Sequence, residues 1–106
     1  MAEVKESETT ELTNEQIIDI LHLRNGRQYN LHKASEECQE LGLVLNQYIL
    51  KPEKVDPQEI IDEIGDVKIR LAILEKMFPA DKIEERVNYK LSKYREYLDH
   101  EKYKNI

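Results

Sequence analysis

The chain has 106 residues, room for one domain, and its net charge of −6 weighs against generic nucleic-acid binding. Its single cysteine, Cys38, excludes an intrachain disulfide and a cysteine zinc site and fits a reducing cytoplasm, and no apolar run is long enough to span a membrane. With only 3 Gly and 3 Pro, and many Glu, Lys, Leu and Ile, it reads as an all-helical domain, small enough that oligomerisation is expected to complete its core.

Residues 1–12 are polar and acidic and lack the apolar centre of a signal peptide, so a loose tail is expected ahead of one domain over 13–104. Thr13-Asn14-Glu15-Gln16 is a capping-box pattern that starts a short helix through Ile17, Ile20 and Leu21. Asn25-Gly26 stops it. A long helix follows from about Tyr29 to Leu50, with Leu31, Ala34, Cys38, Leu41, Leu45 and Ile49 on one apolar stripe. Lys51-Pro52 breaks it, and Asp56-Pro57-Gln58-Glu59 reads as an N-cap, a first-turn proline and a capping-box acid.

The third helix is expected to run to about Phe78, with Ile60, Ile64, Val67, Leu71, Leu74 and Phe78 as its main stripe. Ile69, Ile73 and Met77 form a second apolar edge, which suggests a subunit interface. Pro79 ends that helix, and Asp81 can cap a fourth, reaching roughly Tyr103, with Ile83, Val87, Leu91, Tyr94 and Leu98 on its stripe. Short connections make the three long helices antiparallel neighbours, an antiparallel bundle completed by oligomerisation.

Two carboxylate pairs stand out against this background, Glu37/Glu40 and Glu63/Asp66, each three residues apart on its helix. At about 100° per residue, Glu37 lies roughly 70° and Glu63 roughly 60° from the centre of its stripe, with Glu40 and Asp66 further round on the same side. If the stripes pack together, the two acidic borders meet at one seam. Four converging carboxylates repel one another and need a cation, and a hard divalent ion such as Mg²⁺ suits an all-oxygen set. The plain alternative is that these are solvated surface acids, as most helical Glu are.

Other polar residues carry a similar choice. Glu36 points away from the stripe, toward solvent or a supporting role at the metal. Lys33 is placed either to pair with Glu37 along the helix or to face a substrate phosphate. His32 has no second histidine at ligand spacing and reads as surface. Arg86, Lys90, Lys93 and Tyr97 share a flank of the fourth helix, either a solvated face or a basic wall for a polyphosphate. Tyr29 and Tyr48, near the ends of the acidic helix, fit core positions better than base-stacking platforms.

Taken together, Glu36-Glu37-x-x-Glu40, a spacer and Glu63-x-x-Asp66 resemble the motif of the MazG-like nucleotide pyrophosphohydrolases, in the all-α NTP pyrophosphatase superfamily. The likeness extends to Lys33, Leu41 and Gly65-Asp66-Val67, and Asn88-x-Lys90 is similar to the family's Asn-x-Lys element. It covers about residues 28–95 and is nearest to small stand-alone phage or bacterial members.

The resemblance implies Mg²⁺- or Mn²⁺-dependent hydrolysis of a nucleoside triphosphate to the monophosphate and pyrophosphate, in nucleotide-pool control by a homodimer or homotetramer. It implies Glu37, Glu40, Glu63 and Asp66 as metal ligands and Glu36 as an auxiliary catalytic acid. Asn88 and Lys90 would contact the triphosphate, joined by Lys33 and Lys93 from the charge pattern. The basic spacing of the fourth helix departs from the family's pattern. Phosphoribosyl-ATP pyrophosphatases share the carboxylates but follow an Ala-Asp with Tyr-His, whereas Gly65-Asp66 here precedes Val67-Lys68-Ile69-Arg70. A dUTP- or dCTP-directed enzyme on the same fold and a non-catalytic helical interaction module are the remaining alternatives.

Overall fold

The computed structural model describes the backbone of residues 11–104 and the side chains of 11–101. The tail expected over 1–12 therefore lies almost wholly outside the described residues. Those described form four α-helices and one 3₁₀ turn: α1 (Asn14–Asn25), α2 (Arg27–Leu50), the turn Pro52–Lys54, α3 (Pro57–Met77) and α4 (Ala80–Lys104).

Local chemistry sets these boundaries. The Thr13 hydroxyl accepts from the Gln16 amide at 3.1 Å, and the Gln16 side chain accepts from the Thr13 amide at 2.8 Å, closing the capping box of α1. Gly26 alone separates α1 from α2, with φ +86°, a conformation that costs little only for glycine. The Asp56 side chain accepts from the Gln58 amide at 2.9 Å, Glu59 accepts from the Asp56 amide at 3.2 Å, and Pro57 opens α3 where its missing N–H matters least.

Helices α2 and α3 form an antiparallel hairpin, and α1 packs along α3. The core is small: among the described apolar residues only Ala34, Val44, Val55, Val67 and Ile73 are buried, Ile73 completely. Asn30 is also buried, at 1% exposure. Its side-chain amide donates to the carbonyls of Leu21 and His22 at 3.4 and 3.3 Å, which ties the start of α2 to the end of α1. Lys76 pairs with Glu15 and with Asp19 (3.2 Å), holding α1 to α3 from outside.

Both buried faces are turned from the expected stripes. On α2 the inward side carries Asn30, Ala34, Glu37, Leu41 and Val44, whereas Cys38, Leu45 and Ile49 are exposed. On α3 it carries Ile60, Glu63, Val67, Arg70, Leu74 and Met77, with Ile64 and Leu71 largely outside. Helix α1 docks on the α3 edge expected to be a subunit interface, with Ile17, Ile18 and Leu21 beside Lys68, Ile69 and Ala72, so α3 serves two neighbours, and Ile73 is fully buried. Glu37 and Glu63 thereby lie on the packing faces themselves rather than at their borders.

The fourth helix does not join this hairpin within one chain. It touches only α3, and beyond Ile83 its residues are exposed as far as His100. The radius of gyration is 19.8 Å, against about 13 Å for a compact chain of this length. All-helical architecture is thus present, whereas the closed bundle requires something more to cover α4.

Candidate metal centre

The antiparallel hairpin sets α2 and α3 side chains against each other turn by turn. Lys33 senses the Arg70 charge, Glu37 senses Asp66, and Glu63 senses Glu40. The seam therefore carries one step of facing cations followed by two steps of facing carboxylates. Carboxylate oxygens of Glu37, Glu63 and Asp66 all lie within 4.8 Å of one another. Glu37 and Glu63 are half-buried and Asp66 is exposed, so the cluster is open on one side.

The carboxylates destabilise one another when charged. Burial pushes the Glu37 carboxyl above its ordinary range, and Glu40, by charge and hydrogen bonding, and Asp66 add to this, while Arg70 opposes it. Burial also raises Glu63, followed by the charges of Glu40, Glu37 and Asp66. Glu37 Oε1 and Glu63 Oε2 are buried without a hydrogen-bond partner. Such orphaned acceptors are costly unless a donor or a positive charge is supplied to them.

An all-oxygen donor set on two rigid helices fits a hard divalent cation. Octahedral Mg²⁺, with bonds of about 2.1 Å, sets neighbouring ligands about 3 Å and opposite ligands about 4.2 Å apart, so these oxygens would have to draw together to share one ion. Glu40, exposed beside Glu63, lines an acidic groove of about 320 Å³ with Glu59, Asp62 and Glu63.

The other sequence candidates divide by position. Lys33 pairs with Glu36 at 3.0 Å rather than with Glu37, and this hydrogen bond and charge hold its ammonium above the usual range. Glu36 is exposed, one residue from the cluster. Asn88, Lys90 and Lys93 are on α4, and the fold does not bring them to the carboxylates. There Lys90 lies over the Tyr94 ring, and Arg86 and Lys93 lie over Tyr89. His32 is exposed; Tyr29 is near Lys33, with about half its surface exposed, and Tyr48 is exposed too.

Arg70 was missed in the sequence. Its signal was present in the spacing: Glu63, Asp66 and Arg70 recur along one face of α3, the last among apolar neighbours. No protein-family model, curated protein or solved structure matches the chain.

Proposed function

We propose that the chain is a Mg²⁺-dependent nucleoside triphosphate pyrophosphohydrolase, converting a (d)NTP and water to the (d)NMP and pyrophosphate in cytoplasmic nucleotide-pool control. The observation that carries this reading is the convergence of Glu37, Glu63 and Asp66 from two helices, with two buried acceptors left unpartnered. The resemblance to MazG-like enzymes supplies the reaction. Glu37, Glu40, Glu63 and Asp66 would hold Mg²⁺ or Mn²⁺, which supplies charge neutralisation at phosphate oxygens and acidifies water.

The chain's own residues would do the positioning. Glu36, exposed beside the cluster, would orient an attacking water. Lys33 would neutralise phosphate charge at the neighbouring step of the seam. Asn88, Lys90 and Lys93 bear on the triphosphate in the homo-oligomer we propose, where α4 of a second copy lies across the seam.

Pyrophosphate release measured over a panel of canonical and modified dNTPs, with and without Mg²⁺, tests the reading. Turnover on at least one nucleotide that disappears with the metal is expected, and no metal-dependent turnover on any of them would sink it. Glu40→Gln and Asp66→Asn should each abolish activity and leave the helical circular dichroism intact. A second reading, a non-catalytic helical interaction module, draws on the length of apolar surface that α4 leaves open. It predicts no hydrolysis by the wild type.

A further inference from the structure

Facing carboxylates call for a cation; by the same electrostatics, facing cations call for an anion. One turn from the Glu37/Asp66 step, Lys33 on α2 lies near enough to Arg70 on α3 for the guanidinium to oppose, weakly, the charge of the Lys33 ammonium. Lys33 is partly satisfied by Glu36. Arg70 is not: it is half-buried, and its Nη1 is buried without a hydrogen-bond partner. A guanidinium donor shielded from water beside a carboxylate cluster, yet without an acceptor, costs stability unless something supplies one.

We propose that Arg70 is a substrate-contacting residue that, with Lys33, binds the pyrophosphate portion of the nucleotide. This inference rests on the metal-centre reading above and adds to it a second pole. The orphaned atoms along the seam have opposite signs: Glu37 Oε1 and Glu63 Oε2 accept, and Arg70 Nη1 donates. A metal–polyphosphate complex is the ligand whose two ends match them in that order. Arginine suits the task because its planar fork grips two phosphate oxygens at once, which a lysine ammonium does not. Tyr29 and Glu36 also bear on Lys33, and Glu37 is the carboxylate that senses Arg70.

The alternative role for Arg70 is that of an internal counter-ion to Glu37, whose carboxyl it pulls down. The two roles differ in what Arg70→Met does to two probes. Mn²⁺ binding by the full chain is measured first, then binding of inorganic pyrophosphate with Mg²⁺ present. For a phosphate-binding arginine, Arg70→Met binds Mn²⁺ at least as tightly as the wild type, because a nearby positive charge has gone. It then binds pyrophosphate about tenfold or more weakly, the loss expected for a charge-assisted hydrogen bond.

Arg70→Lys should fall between the two, and it carries the comparison if Arg70→Met fails to fold by circular dichroism. Unchanged pyrophosphate affinity in the folded variants, with Mn²⁺ binding retained, overturns the role of Arg70 and leaves the metal centre standing. Failure of the wild type to bind Mn²⁺ removes both.

Discussion

Glu37 and Glu63 are polar residues set where a helix pair would ordinarily place leucine. Their carboxyls are raised mainly by burial and then by neighbouring acids, so the folded chain binds more protons than the unfolded chain above the ordinary glutamate range. The stability they contribute is therefore present when both are protonated and is lost as pH rises through their elevated values. The metal-free protein should melt at a falling temperature as the pH is taken upward from the ordinary glutamate range. Mg²⁺ should reverse much of that fall, with its affinity weakening again as protons compete at lower pH. Glu37→Gln should flatten the metal-free profile. A metal-free melting temperature that rises over this window would contradict the proposed electrostatics.

The pairs themselves were legible in the sequence, because a spacing of three residues on a helix fixes a shared side. Their depth was not. Which side faces inward depends on the docking of α1, and α2 and α3 each carry enough apolar residues for more than one choice. Arg70 and Asn30 escaped notice for the same reason: an isolated polar residue in a helix acquires meaning only from what packs over it.

At the scale of elements, starts and stops follow from local chemistry. The two capping boxes, the Gly26 stop and the Pro57 start all appear where the sequence places them. Gly26 bears the greatest demand, since one residue ends α1, begins α2 and sends Asn30 beneath the α1 carbonyls. A Cβ there would meet nothing within 4 Å, so the cost of substitution lies in the backbone torsion rather than in a clash. Gly26→Ala should destabilise the fold by about 1–3 kcal/mol in urea unfolding, the usual cost of a sparsely populated torsion. A change below about 0.3 kcal/mol, within ordinary surface scatter, would show that the α1–α2 joint bears no such demand.

For the whole molecule, the imbalance between buried and exposed apolar surface dominates. Val87, Leu91, Tyr94 and Leu98 follow one another along α4, each with about half or more of its surface exposed. Leu43, Ile49, Leu50 and Ile61 add apolar surface on the hairpin. A second copy that covers α4 would convert this surface into a core and bring its basic flank toward the acidic seam. Sedimentation should show a dimer or tetramer at micromolar concentration, and Leu91→Lys should shift it toward monomer while α4's contacts with α3 at the turn persist. A wild-type monomer at that concentration would defeat the oligomer.

The sequence by itself determined that the chain is helical, that its acids come in pairs at helical spacing, and where the helices begin and end to within about two residues, although α2 starts at Arg27 rather than Tyr29 and Asp81 lies inside the first turn of α4 rather than at its cap. These are properties of local torsions, caps and periodicity, and they need no knowledge of neighbours. Only the tertiary structure decided which faces turn inward, because that depends on how α3 packs against both α1 and α2. In that packing Glu37, Glu63 and Asp66 come within 4.8 Å of one another, Lys33 lies near Arg70 one turn away, and α4 is left open.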